Sequence, residues 1–380
     1  MAAVSVLHIL RSIREHGPIS RTSLQQITGL SWGTITNATR SLLNRRLIRE
    51  ERVETSKAGR KPVHLTLNRA EHCIIGLELG IDGMRCIAMN PAGETLGYEQ
   101  GAGLPGEAVE AALDRAAAMV KRAIADHCGR KLMGIGVCAP GAIDENHALM
   151  PNPRLKAWNG LAIKLELENR LGMEVQAERD ANCLALVERW FGEAAHAQDV
   201  LCICLGETVG MGILLGGDIF RGSQGKAGEF GHMTLDPEGP ACDCGDRGCV
   251  ENYCSLPAVL EAAPGNATLE ELITRARGNG GGNGQSRERA VLETMGKRLG
   301  IAVANAVDLF DPELVVIAGK LAAAWEWFSP AMLGEVDAHA DKSSKRRVSV
   351  SHLGTQAGAM GACAMMLQTA LADDETEPES

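Results

Sequence analysis

Aromatic residues are scarce in this 380-residue chain: two Tyr, five Phe and five Trp make up 3% of it. Its cores must be aliphatic, and 45% hydrophobic residues are enough to fill them. Apolar runs of the roughly 18 residues that a membrane span requires are also missing. The opening residues, Met1-Ala2-Ala3-Val4-Ser5, lack the basic stretch followed by an apolar one that marks a secretory signal. These absences predict a cytoplasmic protein with no membrane partner, and the length predicts two or three domains.

Aspartate is absent from the first 70 residues, which carry 12 Lys/Arg against 4 Glu, a balance of +8. The other 310 residues carry 26 Lys/Arg against 44 Asp/Glu, a balance of −18. A basic head on an acidic body points to a head that meets a polyanion, against the plainer reading of an ordinary basic surface.

The pattern of the head favours the polyanion. Val4, Leu7, Leu10 and Ile13 share a helical face that ends at Gly17-Pro18. Ser20 can cap a short helix over 21–28, with Leu24 and Ile27 on its buried side. Gly29-Leu30-Ser31 then makes a tight turn, and Ser31 caps a third helix. There Ile35, Ala38, Leu42 and Leu43 face inward, while Trp32, Thr34, Thr36, Asn37, Arg40 and Ser41 face outward. This is the helix-turn-helix layout, whose second helix enters the major groove of duplex DNA. Asn37 and Arg40 are suited to bidentate contacts with base edges. Two strands, 47–50 and 63–67, flank a wing tip with Lys57, Gly59, Arg60, Lys61 and Pro62, suited to phosphates or a narrow minor groove. The other reading is a three-helix protein-interaction module. A DNA-binding head of this kind implies a homodimer or a dimer of dimers.

Most of the 12 cysteines stand singly in apolar stretches, as core residues of a reducing compartment do. Cys242, Cys244 and Cys249 cluster instead in a Gly/Asp-rich loop. With His232 they give H-x9-C-x-C-x4-C, one imidazole and three thiolates, the complement of a closed structural Zn2+ site. Four protein ligands leave no open position for catalysis. Unligated clustering and a redox pair are the alternatives.

From Cys73 the chain alternates strand-like and helix-like segments, as a mixed α/β protein does. Strands are expected at 73–79, 84–89, 132–138, 200–205, 210–215 and 314–317, and helices at 108–127 and 183–191. Residues 277–286 hold too much glycine for regular structure. Two Gly-rich strand–turn–strand units, near residues 80 and 210, suggest a duplicated two-lobe fold. Gly228-Glu229-Phe230-Gly231-His232 and the run from Cys242 to Glu251 resemble the signature of the ROK family of repressors and sugar kinases. Ala139-Pro140-Gly141, Asp180-Ala181-Asn182, and Phe310-Asp311-Pro312 with Ala318-Gly319 are similar too, as is the head from Ile19 to Pro62. The resemblance implies a winged helix-turn-helix at 1–70 and a two-lobe, actin-like effector-binding domain at 71–372. Lobe one would cover about 71–190 plus a C-terminal helix, and lobe two about 191–362. A disordered acidic tail would occupy 373–380.

The same resemblance implies a sugar site in which Glu229, His232 and Glu251 face the ligand. Asp180 matches the base of the kinases, with Asn182 supporting it. Alone, Asp-x-Asn would read as a helix cap. The phosphate side departs from the kinases. Glu78-Leu79-Gly80-Ile81-Asp82-Gly83 stands where they have Asp-x-Gly-Gly-Thr-Lys, and Gly206-Glu207-Thr208-Val209-Gly210 where they have Gly-Thr-Gly-x-Gly. Ile81 adds bulk, and Asp82 and Glu207 would set negative charge near a triphosphate. The expectation is a sugar-responsive transcriptional regulator, a repressor of carbohydrate genes, and no enzyme. A sugar kinase that retains a DNA-binding head is the alternative. Arg179 replaces the Asn that family kinases commonly carry before the base. If it points into the site it favours a sugar phosphate or sugar acid over a neutral sugar. If it pairs with Glu178, Asp180 or Glu207, it merely neutralises an acidic pocket.

Overall fold

The computed structural model describes residues 2–52, 63–127, 129–265, 267–278, 286–341 and 347–372. The expected wing tip with Arg60 and Lys61, most of the glycine-rich loop and the acidic tail lie outside the described residues. The chain divides into two compact units. One is built from Met1–Cys138, Lys164–Glu178 and Ala362–Ser380, the other from Ala139–Ile163 and Arg179–Gly361.

The first unit begins with helices α1 (Ala2–His16), α2 (Arg21–Thr28) and α3 (Trp32–Asn44). Ser20 caps α2 by accepting the Ser23 N–H, and Ser31 caps α3 by accepting the Thr34 N–H. Between them Gly29 takes the left-handed conformation, φ +67°, and its N–H closes on the Gln25 carbonyl. Ile9, Leu10, Ile13, Leu24, Ile35, Ala38 and Leu42 are buried. Ile27 is not: it is 47% exposed, because Leu24 alone fills the core-facing side of so short a helix. Leu43 is half-buried.

Strands β1 (Ile48–Arg52) and β2 (Val63–Leu67) pair antiparallel, with Ile48 opposite Leu67. Leu65 exchanges two backbone hydrogen bonds with Ile19, which ties the pair to the turn before α2. Arg21 makes a second tie, donating to the Thr39 hydroxyl and pairing with Glu50 at 2.8 Å.

The body of this unit is a five-stranded sheet in the order β5-β4-β3-β6-β7. Its strands are β3 (His72–Leu79), β4 (Met84–Met89), β5 (Thr95–Gly101), β6 (Lys131–Ala139) and β7 (Gln176–Arg179). The first three form an antiparallel meander, and β6 joins β3 in parallel. Helix α4 (Val109–Asp126) buries Ala112, Leu113, Ala116, Ala117, Met119 and Val120. Helix α5 (Ile163–Leu171) precedes β7. The C-terminal helix (Ala357–Ala372) lies on β6 so closely that a Cβ on Gly136 would come within 2.2 Å of the Ala362 carbonyl. Arg45, at the end of α3, donates to the Ala370 carbonyl of the same helix, and Arg46 pairs with Glu71 at 3.0 Å.

The second unit repeats the sheet plan. Helix α6 (Asp180–Phe191) is followed by β8 (Val200–Leu205), β9 (Val209–Leu215) and the short β10 (Asp218–Ile219). Short helices α7 (Glu251–Cys254), α8 (Leu256–Ala262) and α9 (Leu269–Arg277) lead to α10 (Arg287–Phe310), β11 (Leu314–Ala318), α11 (Trp325–His339) and β12 (Arg347–Val350). The order is β10-β9-β8-β11-β12: an antiparallel meander, then two strands added in parallel. The two sheets thus share the order 3-2-1-4-5, the duplicated actin-like plan. Among the described residues no helix is long and apolar enough to cross a membrane.

Candidate functional site

The site residues stand on short segments whose apolar neighbours are anchored in the core of the second unit. Phe230 and Val250 are buried in one cluster with Leu205, Val209 and Met211. Glu229 and His232 flank Phe230 on one segment, and Glu251 follows Val250 on the next. Gly228 makes the turn into the first segment at φ +87°, where a Cβ would lie 1.9 Å from the Met211 carbonyl oxygen. Gly228→Ala should therefore cost about 3 kcal/mol or more, the sum of left-handed strain and a backbone clash, and displace Glu229. Thermal and denaturant unfolding of the purified variant measure the cost. An unchanged midpoint would mean that the turn relaxes freely.

Arg179, the last residue of β7, has its guanidinium buried. One nitrogen pairs with Glu229 Oε1 at 2.9 Å and another donates to the Ala227 carbonyl at 2.8 Å. One of its partners is thus a carboxylate 50 positions away, and its charge also acts on the neighbouring Asp180. Asp180 opens α6. Its Oδ1 accepts the N–H of the next residue, Ala181, at 2.7 Å, and Arg179 caps the helix with no side-chain bond. The carboxylate thus takes up one of the N–H groups that the start of α6 leaves free. Burial pushes the Asp180 pKa up, against the pull of the neighbouring Arg179 charge. Asn182 is buried within α6.

Glu251 is also buried. Its Oε2 accepts the Val209 N–H at 2.9 Å, and its Oε1 lies 3.6 Å from Arg154. Arg154 further donates to the Glu207 carbonyl. Glu251 and Arg154 together fix the turn between β8 and β9. Sequence reading passed over Arg154, since it lies 97 positions from its partner.

The two turns expected to repel a triphosphate differ from expectation in one respect. In the first unit, Asp82 pairs with the buried Arg85 at 2.6 Å, and Arg85 also reaches Glu78 at 3.3 Å and the Gly83 carbonyl. In the second, Glu207 pairs with Lys320 at 3.1 Å. The acids expected to repel a triphosphate are each neutralised by a cation. Their effect is to lock each turn with its own ion pair, because both partners are already committed.

His232, Cys242, Cys244 and Cys249 bring one ligand atom each to within 4.8 Å of one another. Cys244 Sγ and Cys249 Sγ are 3.7 Å apart, and His232 Nδ1 is 3.8 Å from Cys242 Sγ. A tetrahedral ion with bonds of about 2.3 Å to sulfur needs sulfur–sulfur edges of about 3.7 Å, so the group fits one metal ion. The turn is made by the Cys242 N–H donating to Asp246 and the Gly245 N–H returning to Cys242. With Nδ1 turned to the thiols, His232 Nε2 points the other way and lies 4.0 Å from Glu229 Oε2. One imidazole thus joins the metal cluster to the carboxylates.

In the head, Trp32, Asn37 and Arg40 are exposed on α3, Trp32 by 50%. Thr34 and Thr36 are half-buried, the Thr36 hydroxyl donating to the Trp32 carbonyl and the Thr34 hydroxyl bonding to that of Ser31. Their polar atoms serve the helix itself.

The sequence profile of the ROK family matches residues 74–369. The chain belongs to that family. A putative xylose repressor of Caldicellulosiruptor sp. (strain Rt8B.4) is 31% identical over 386 residues, spanning 97% of this chain and 96% of the repressor. The crystal structure of a ROK family transcriptional regulator, a homolog of the E. coli MLC protein, superposes with a TM-score of 0.78 over 98% of this chain and 97% of that one. At 24% identity it shows the fold. The ROK family glucokinase of Streptomyces griseus, solved with glucose and AMPPNP, gives a TM-score of 0.67 at 26% identity, covering 77% of this chain and 98% of the kinase.

Proposed function

We propose that this ROK protein is a cytoplasmic, dimeric, sugar-responsive repressor that binds duplex DNA through its head and a sugar-type effector beside Asp180, Glu229 and His232. One observation carries the reading: a basic three-helix head that leaves Trp32, Asn37 and Arg40 exposed stands on a body of the family that includes sugar kinases. The name of the 31% identical repressor, which matches nearly end to end, supports it. The cluster of His232 and three cysteines takes a structural Zn2+, because three thiolates and one imidazole with no open position suit that ion. Zinc there supplies no chemistry. It braces the two segments that carry Glu229 and Glu251.

ATP turnover is not part of this reading, because both phosphate-side turns are tied by their own ion pairs. The half-buried Asp180 carboxylate, with its raised pKa, is the observation that keeps a sugar kinase in view. Fluorescence anisotropy with the DNA upstream of the chain's own coding sequence tests the proposal. Tight binding that a sugar releases is expected. Failure to bind DNA, together with sugar-dependent ADP formation that disappears in Asp180→Asn, would replace it with the kinase.

A further inference from the structure

Between Glu15 and Glu50 the head holds no acidic residue and five arginines, Arg21, Arg40, Arg45, Arg46 and Arg49. Three of them meet carboxylates: Arg21 pairs with Glu50, Arg46 with Glu71 and Arg49 with Glu51. Arg45 donates to the Ala370 carbonyl, one of those that the end of the C-terminal helix leaves without a partner inside the helix. Arg40, exposed on the outer face of α3, pairs with no acid among the described residues.

The chain that follows the C-terminal helix is opposite in charge. Asp373, Asp374, Glu375, Glu377 and Glu379 put five carboxylates and no cation into eight residues. They come straight after a helix end whose dipole repels negative charge, and the last turn of that helix holds no basic residue to offset it. The cation that the fold brings to this helix end is Arg45, and the acid-free α3 runs on from it toward Arg40 and Trp32. Eight extended residues reach at most about 28 Å, against about 8 Å along α3 from Arg45 to Arg40 and about 20 Å to Trp32.

We infer that residues 373–380 bind back along the exposed face of α3, their carboxylates standing where DNA phosphates would, so that the chain carries its own competitor for duplex DNA. The inference rests on the DNA-binding reading above and adds regulation to that surface. So short a tether holds the carboxylates at a local concentration in the millimolar range, enough to occupy a weak ionic site. A duplex that engages the whole head displaces them by its denser charge, whereas an encounter through one or two phosphates does not.

The test compares the full-length, metal-containing protein with a charge-neutral chain of the same length: Asp373→Asn, Asp374→Asn, Glu375→Gln, Glu377→Gln and Glu379→Gln. Hydrogen exchange without DNA reads the contact itself. Amides over 36–46 should exchange at least about three-fold faster in the variant with the melting temperature held, and about 0.3 M salt should erase the difference. Anisotropy with a scrambled duplex reads the competition. At about 0.05 M salt the variant should bind at least about five-fold tighter and lose affinity more steeply as salt rises, because its cations have more counterions to release. Equal exchange in the two chains, whatever their DNA affinities, would overturn the contact and leave only diffuse repulsion. A difference that vanishes on dilution to the monomer would move the tail onto a second copy and overturn the intramolecular contact. Faster exchange with unchanged DNA affinity would overturn the competitor role. Binding of no duplex by either chain would overturn the DNA-binding reading and the competitor role with it, while exchange would still decide whether the tail lies on α3.

Discussion

Replacing Cys244 by serine should lower bound zinc from about one ion per chain to below about 0.1, because a serine hydroxyl stays protonated where a thiolate binds. Cys244 is the exposed member of the cluster, so the change removes a ligand without opening a core. The loss should propagate through two segments. Thr234 bridges to Cys249, and the Leu235 N–H donates to the Gly248 carbonyl, so the turn that carries the thiols also braces the strand-like stretch after His232. Gly248 sits at φ +61° with the Asp236 carbonyl oxygen 1.7 Å from where a Cβ would be, which leaves the turn little room to adapt. Effector-induced release from DNA should therefore weaken at least ten-fold before the far-ultraviolet spectrum changes. Elemental analysis and DNA titration check both parts. Full zinc retention in the variant would show that four ligands are not required.

The double substitution Asn37→Ala, Arg40→Ala should weaken specific DNA binding by about 100-fold or more, taking about 1–3 kcal/mol for each bidentate base contact. Both side chains are exposed, so the helix itself should survive: Ile35, Ala38, Thr39 and Leu42 make its buried face. Binding to unrelated DNA should fall far less, because phosphate contacts carry most of that affinity. Anisotropy titrations on a selected operator and on a scrambled duplex, each at several salt concentrations, separate the two terms. Unchanged discrimination between operator and scrambled DNA would mean that another element reads the bases.

The head was the most legible part of the sequence because its signals are local. Ser20, Gly29 and Ser31 each act within four residues of themselves, so the caps and the turn could be placed from spacing. Ile27 misled because periodicity gives a face, and an eight-residue helix has room to bury only part of it. Of the meander strands, β3, β4, β8 and β9 are legible as apolar runs between glycine turns, whereas the largely polar, half-exposed β5 and the two-residue β10 are not. The long helix α10 was not, and the reason is physical. Gly296 and Gly300 normally argue against a helix interior. Here they bring the backbone of α10 against α11, where a Cβ on either would lie 2.4 Å from the Phe328 or Met332 carbonyl oxygen. Small residues weaken the local signal in order to permit the close packing. Helix α11 adds Pro330 in its second turn, a further break in any sequence pattern.

The site divides in the same way. The metal cluster could be assembled from spacing because its three cysteines lie within eight positions, and thiols in a Gly/Asp-rich loop have few other uses. The ion pairs could not. Arg179 with Glu229, Arg154 with Glu251, and Lys320 with Glu207 join residues between 50 and 113 positions apart. Sequence reading therefore takes Glu207 as a bare charge, and the lysine that answers it emerges only with the fold; Arg85, by contrast, stands three positions from Asp82, within reach of a reading by spacing.

The bond from Arg45 to the Ala370 carbonyl gives α3 a fulcrum at its C-terminal end. The thirteen residues of α3 make a lever about 18 Å long, with Trp32 at its free tip. A tilt of about 5° about that fulcrum would swing the tip by roughly 1.6 Å, enough to carry a hydrogen bond at the tip from good length past its limit. A displacement of the Ala370 carbonyl would thus act first on the C-terminal end of α3.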